Sequence, residues 1–441
     1  MRKNILYLLS LIAPCAGMAQ DKTWSLDECI RYALEHQPRQ AQQKAQNEIY
    51  RLDRREALGA FFPSLNAGSG ASMNFGRGLD PETNTYISTN TFSNAYEIYS
   101  SLTLFDGLAQ YYRVKMANVR RLMGDEELRT LQDKTTFEVM ELYFNVLYYK
   151  GTVDLADRQW SESAAHLRKY RRMEELGLTS IPDLAEAQAK EAEDRFLLTR
   201  QTNLYNLERI RLKEKMNLPA DDDLLVDDYT PEPAVRPAPD SARTICQTAL
   251  PALPAVQASA HALAAAELEY RIARGRLLPS LSMNAGFGTS FSRLMDGNDY
   301  MPFWEQLKVR EGAYVGFTLS IPLFNGLART SELQRSRQRA VIARSRHEEV
   351  RRQAYSEIEQ AVADVDGLAD EYRHAQQRTA AMQSAHQLNV RKYETGLIDA
   401  LALATSANRL LNARVEELYT RLKYHLKYRL LTYYKTIDNP R

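Results

Sequence analysis

The sequence predicts a mainly α fold with a transmembrane β-barrel portion, arranged as two tandem structural repeats. Each repeat is a β-strand pair plus long antiparallel coiled-coil helices. Three observations lead there. Two stretches alternate apolar and small polar side chains over many more residues than an ordinary strand needs. Two long proline-free segments carry heptads, and one constant offset superposes the landmarks of the two halves.

The alternating stretches run from Pro63 to Ala109 (PSLNAGSGASMNFG, a polar interval, EIYSSLTLFDGLA) and from Pro279 to Ala328 (PSLSMNAGFGTSFS, a polar interval, YVGFTLSIPLFNGLA). In the first, Leu65, Ala67, Ala71, Met73 and Phe75 share one parity, against Asn66, Gly68, Ser72 and Asn74. In the second, Leu281, Met283, Ala285, Phe287 and Phe291 oppose Ser282, Asn284, Gly286 and Ser290. Its returning strand sets Val315, Phe317, Leu319, Ile321 and Leu323 against Gly316, Thr318 and Ser320. A period of two means a strand with one apolar and one small polar face. Each run extends about 35 Å at about 3.3 Å per residue, enough to cross a tilted hydrocarbon layer of about 30 Å. Strands of soluble sheets usually hold about five or six residues.

The 441 residues would hold about three ordinary domains, but the beginning reads as an address. Arg2 and Lys3 precede the apolar run Ile5 to Ala13, and Gly17 and Ala19 suit cleavage before Gln20. Residues 1–19 are therefore expected to be a signal peptide. Lipidation at Cys15 is the competing reading, disfavoured by Pro14 directly before it. Removing the leader takes the net charge from +1 to −1, which leaves no basic footprint for nucleic acid. Beyond the leader no run of about 18 apolar residues occurs and the mean hydropathy is −0.47, so helical membrane spans are excluded. Cys29 and Cys246 lie in similar short helical segments of the two halves. Repeat symmetry predicts two separate buried thiols rather than a disulfide.

The elements follow in order. Ser25 to Leu34 starts with the capping pattern Ser25-x-x-Glu28. Pro38 interrupts, a polar helix runs from about Arg39 to Ala60, and Pro63 stops it. The first strand pair covers about 64–105, with Gly76 to Asn94 as an exposed loop rich in glycine and asparagine. A helix from about Leu108 to Leu176 follows, with a tip near 177–183 and a return from Asp183 to about Met216. The first repeat thus spans 20–217. Residues 218–240, acidic and rich in proline, read as an equatorial linker. The second repeat, 241–434, brings a strand pair at about 280–324, a helix from about Ala328 to Tyr393, a tip near 396–399 and a return from Asp399 to about Tyr434. Residues 435–441 are a tail.

Leu142, Val146, Tyr149, Val153, Ala156 and Trp160 step by alternating four and three, as do Ala354, Ile358, Ala361, Val365, Leu368, Tyr372, Ala375, Thr379 and Met382. A sustained period of 3.5 residues winds a helix against a partner. One offset carries 142 onto 361, 146 onto 365, 153 onto 372, Gly107 onto Gly326 and Gly177 onto Gly396, the mark of a duplication.

Four strands cannot close a barrel, and an open edge in lipid leaves each backbone group unsatisfied at a cost of several kcal/mol. Closed membrane barrels begin at about eight strands. Several chains must therefore pool strands around a wet lumen lined by the small polar face. Two chains would supply eight strands and three would supply twelve.

Duplicated strand pairs with P-S-L and L-F-[DN]-G-L-A, a G-L turn at each hairpin tip and an N-L-P end to the first half resemble the TolC-type outer-membrane efflux family, over essentially the whole mature chain. The resemblance implies a homotrimer in the cell outer membrane, with a twelve-stranded barrel and an α-helical barrel through the periplasm. It implies a periplasmic adaptor and an inner-membrane pump of the RND or ABC type as partners. The chain would be an efflux or type I secretion duct without a cofactor. A periplasmic adaptor or a coiled-coil scaffold is the alternative class. The family's tip pattern, which contacts the adaptor, falls on Gly177, Leu178, Asp183, Leu184 and Ala187, and in the second tip on Gly396, Leu397 and small positions around Ala407. Tyr393 precedes that second glycine, as it often does in the family. The acidic gate positions of the second return helix hold Ala402 and Thr405 here. Asp183, Glu186, Tyr393 and Asp399 are left as the candidate periplasmic gate.

Simpler readings stand beside these. Asp183 also suits a first-turn acid of its helix. Trp160 and Tyr372 read as seam packing and His386 as a core histidine on the extended seam. Phe303 and Trp304 read as loop packing or an aromatic belt, and the basic runs 168–172 and 335–346 as solvated helix faces. No phosphate loop, metal spacing or serine elbow is present in the sequence, so any pumping energy must come from a partner.

Overall fold

The computed structural model describes residues 23–79, 84–88, 90–227, 237–238, 240–295 and 301–437. The expected leader with Cys15, residues 228–236 and 239 of the acidic linker and the last four residues of the tail lie outside them. The chain divides into two compact units: residues 1–40, 132–242 and 359–436, and residues 41–131, 243–358 and 437–441.

The elements in chain order are β1 (Thr23–Trp24), α1 (Leu26–His36), α2 (Pro38–Gly59), β2 (Ser64–Asn74), β3 (Arg77–Leu79), β4 (Tyr86–Ser88), β5 (Thr91–Phe105), α3 (Ala109–Glu175) and α4 (Ile181–Met216). There follow β6 (Leu225–Val226), α5 (Ala242–Ala252), α6 (Pro254–Gly275), β7 (Ser280–Leu294), α7 (Phe303–Val309), β8 (Gly312–Ser320), α8 (Ala328–Glu394) and α9 (Ala400–Thr436). Corresponding helices match in length: α1 and α5 have 11 residues, α2 and α6 have 22, and α3 and α8 have 67.

The unit holding the sheet is built on an antiparallel four-stranded order, β2-β5-β7-β8. Its register carries the alternation across all four strands. Ala67 pairs with Ile98 and Ile98 with Phe287, while Met283 pairs with Phe317 and Leu281 with Leu319. One face is therefore mainly apolar, interrupted by Ser69, Asn94, Ser100, Thr289 and Arg293. The other face aligns Ser101 with Asn284 and Thr103 with Ser282. The outer edges of β2 and β8 have no strand partner among the described residues.

Three strand boundaries differ from the sequence reading. The first return begins at Thr91 rather than after Asn94, and β3 and β4 form a small hairpin within the interval read as a loop. β8 ends at Ser320, so Ile321 and Leu323 continue the alternation outside the ladder. Pro322 follows directly and has no N–H to give a ladder. Beyond β8's start, α7 serves the free flank of β7, where the Gln306 side-chain oxygen accepts the Ser292 N–H at 3.0 Å. Phe303 packs edge-on against Tyr96 and Phe291, whereas Trp304 stays exposed.

Strand-to-helix turns use the left-handed region twice over, at Gly107 and Leu108 (φ +69° and +66°) and at Gly326 and Leu327 (+65° and +65°). At Gly107 a Cβ would stand 2.1 Å from the Gly275 carbonyl oxygen, so only glycine allows this backbone contact.

The other unit has a continuous core. Val139, Tyr143 and Val146 of α3 pack with Leu212 and Met216 of α4, Leu26, Cys29 and Ala33 of α1, Leu224, Val226, and Leu422 of α9. The Ser25–Glu28 capping box is present. Both cysteines are free and buried, and burial pushes the Cys29 thiol up to about 12. The linker contributes β6, which pairs in parallel with β1. Tyr143 Oη donates to the Trp24 and Asp227 carbonyls at 3.3 Å each, and Lys435 pairs with Asp240. On α8 the heptad positions Ala361, Val365, Leu368, Ala375 and Thr379 are buried, and Thr379 Oγ1 donates to the Ala413 carbonyl of α9.

Two outcomes are expected. Gly107→Ala combines a left-handed backbone with a clash on backbone and should cost roughly 2–3 kcal/mol, read as a lower melting temperature in detergent. His425 of α9 is buried, and burial with Arg421 and Arg429 holds it down at about 4, against 6.5 when unfolded. The unfolded chain binds that proton first, so stability is full above pH 6.5 and is lost as pH falls toward 4, by up to about 3 kcal/mol. Melting curves of H425Q over this range should be flatter.

Candidate functional site

Both hairpin tips close by the same backbone device. The Gly177 N–H donates to the Glu174 carbonyl and the Leu178 N–H to the Met173 carbonyl, both at 2.8 Å. Gly396 and Leu397 repeat this onto Tyr393 and Lys392 at 3.0 and 2.8 Å. This is the Schellman termination, which needs a left-handed residue; Gly177 and Gly396 supply it at φ +73° and +72°. The leucine that usually folds back onto its helix stands out instead, 67% exposed at Leu178 and 74% at Leu397. Ile181 and Leu401 are exposed as well.

Each return helix starts with an acid that is already engaged. α4 begins at Ile181, two residues before the expected Asp183, because Ser180 caps it and Pro182 suits its first turn. Ser180 Oγ accepts the Asp183 N–H at 3.3 Å and donates to Asp183 Oδ2 at 2.5 Å. Asp399 stands directly before α9 and its Oδ1 accepts the Ala402 N–H at 2.8 Å. Both carboxylates therefore stabilise helix N-termini.

Behind the tips, α3, α4, α8 and α9 line a cleft of about 900 Å³. It brings together Glu186, Ala187 and Tyr393 from the candidate residues; Gly177, Leu178, Asp183, Leu184, Gly396, Leu397 and Asp399 are not in its lining. Burial pushes the Tyr393 phenol up, and its ring lies 6.5 Å from that of His166. His386, read as a core histidine, reaches the cleft and shares a hydrogen bond of 3.2 Å with Ser406 Oγ. Burial holds its pKa down, against the opposing pull of Glu162. Trp160 does more than pack: its Nε1–H donates to Glu191 Oε1 across the first hairpin at 2.8 Å.

The residue that sequence reasoning missed is Lys190. Its Nζ donates to Asp194 Oδ1 at 2.8 Å, to Glu193 Oε2 at 3.4 Å and to Asn408 Oδ1 of α9 at 2.6 Å. Asp194 is only 2% exposed and its second oxygen has no hydrogen-bond partner. The spacing Lys190-x-x-x-Asp194 is a visible helical ion-pair signal, but the link to Asn408 required the fold. No group of residues suited to holding a metal ion occurs among the described residues.

A two-faced sheet whose edge strands β2 and β8 have no strand partner among the described residues is carried by the same chain as two long helical hairpins. Residues 245–432 match the family model described as outer membrane efflux protein. The outer membrane efflux protein BepC of Brucella suis biovar 1 (strain 1330) is 24% identical over 329 residues, which are 71% of this chain and 66% of that relative. Less than two thirds of the relative's length is thus spanned. Among solved structures, the CmeC outer membrane channel of Campylobacter jejuni superposes with a TM-score of 0.81 at 14% identity, over 94% of this chain and 86% of that one. The outer membrane protein VceC of Vibrio cholerae gives 0.78 at 14%, over 94% and 96%. CusC gives 0.79 at 16%, over 95% of each. Over its second half the chain is thus similar to outer membrane efflux proteins, and over nearly its whole length it has the fold of these outer-membrane channels.

Lys190→Met should leave Asp194 buried without its cation, a loss of about 3–5 kcal/mol felt in α4 and α9. Hydrogen exchange of residues 186–198 and 403–410 should accelerate, while the sheet's amides keep their protection.

Proposed function

We propose that the chain is one third of an outer-membrane exit duct that passively conducts drugs, other small molecules or proteins out of a tripartite efflux or type I secretion assembly. The observation that carries this reading is the four-stranded sheet, mainly apolar on one face and mainly small and polar on the other, whose edges at β2 and β8 have no strand partner among the described residues. In lipid such edges must be paired, and identical copies supply matching edges. Three copies make twelve strands, the count the family resemblance implies. The small polar face then lines the lumen.

The helical tips are the docking end in this reading. Exposed Leu178, Ile181, Leu397 and Leu401 offer apolar anchors to a periplasmic adaptor, which connects the duct to an inner-membrane pump of the RND or ABC type. Asp183, Glu186, Tyr393 and Asp399 are the proposed gate region. Engagement of both aspartates in helix caps favours a structural share in their role over a freestanding charge filter. The sequence carries no ATP-binding motif, so the energy for export belongs to the pump.

Purified in detergent, the protein should run as a trimer, and in unboiled gels it should migrate differently from the boiled sample. It should be recovered in outer-membrane fractions. A monomer that stays soluble without detergent would end this reading. Replacing Leu178 and Leu397 by Glu should leave the trimer intact and abolish adaptor cross-linking at the tips.

A further inference from the structure

The polar face of the sheet holds one cross-strand row unlike its neighbours. Gly68 on β2, Glu97 on β5, Gly288 on β7 and Gly312 on β8 are paired in succession. Every position of that row except Glu97 is glycine. The row beside it, Asn66, Tyr99, Gly286 and Tyr314, is filled: a Cβ at Gly286 would meet the Tyr314 ring at 2.6 Å. In the glycine row, by contrast, the space above Gly312 is open, and the Glu97 side chain leans over Gly68, with Oε1 3.3 Å from where a Cβ would stand. Glu97 is exposed.

Only two residues of the four strands are Asp, Glu, Lys, Arg or His: Glu97 and Arg293. Arg293 pairs with Phe92 and so belongs to the apolar parity, near the far end of β7. No basic residue of the strands shares a face with Glu97. Among the contacts described, the one guanidinium that reaches that face from outside them is that of Arg310, which donates to Ser292 Oγ at 2.7 Å, two same-face positions along β7 from the row of Gly288. The geometry points to Glu97 as the residue that makes the membrane portion of the duct prefer cations. This inference rests on the pooled-barrel reading, in which symmetry sets one Glu97 from each copy at the same height around the lumen.

Rings of carboxylates confer cation preference because each attracts cations and repels anions where the pore holds little else charged. Three carboxylates roughly 10 Å from the axis, screened by about 0.1 M salt, change the cation-to-anion ratio on the order of fourfold. The glycines matter twice. They leave the carboxylate free of neighbours that would desolvate it, and they keep the passage wide at the charged level.

The test is the reversal potential of the intact trimer in planar bilayers under a potassium chloride gradient. The wild type should favour potassium, and Glu97→Gln should bring the permeability ratio down about fourfold. Gly312→Lys, placed in open space two strands away on the same row, should also lower the ratio without disturbing the fold. An E97Q trimer that conducts with the wild-type ratio overturns the role of Glu97 while leaving the duct intact. A wild-type trimer that forms no conducting pore overturns the duct reading and the inference together.

Discussion

Backbone hydrogen bonds at the two free edges of the sheet govern the rest of this molecule. Strands β2 and β8 each present a row of N–H and C=O groups that no strand of the chain meets among the described residues. In water such edges would be hydrated, but in the hydrocarbon layer every unsatisfied group costs several kcal/mol. On the proposed reading one chain is an incomplete membrane fold, and lateral assembly is the condition of its insertion. The apolar face, with Leu65, Met73, Val315, Phe317 and Leu319 exposed in the single chain, is suited to lipid for the same reason.

The sheet and the helices are joined by a turn held in the left-handed region over two residues. Gly107 and Gly326 hold nearly the same left-handed geometry, each followed by a leucine in the same region. Leucine there is strained, at about 1 kcal/mol or more, and its appearance at both junctions ties the strain to a change of direction needed twice. Gly275 completes the first junction by meeting Gly107 backbone to backbone. Small residues at these points set how closely strand ends and helix starts can approach.

At the helical tips, exposure and engagement are divided between residue types. Apolar groups that could have packed onto their own helices are left outward, while the acids are drawn into helix caps. The cleft behind the tips is bridged by Lys190, which ties α4 to α9 through Asn408. A buried ion pair with one oxygen unsatisfied is a weak stabiliser, and that places a break point between the two hairpins close to their ends.

Much was legible from the chain alone. Period two in Leu65 to Phe75 and Leu281 to Phe291 announced strands, because side chains of a strand alternate between faces whatever surrounds them. Heptads announced the helix seam, and Gly177 and Gly396 marked the tips, because a left-handed cap is a local demand. Local rules could not show that Thr91 already pairs with Asn74, that β8 stops before Pro322, or that Asp399 caps its own helix. The glycine row around Glu97 and the reach of Lys190 to Asn408 were also hidden. Register and interhelical contact join residues far apart in sequence, and only the tertiary structure decides which of them meet.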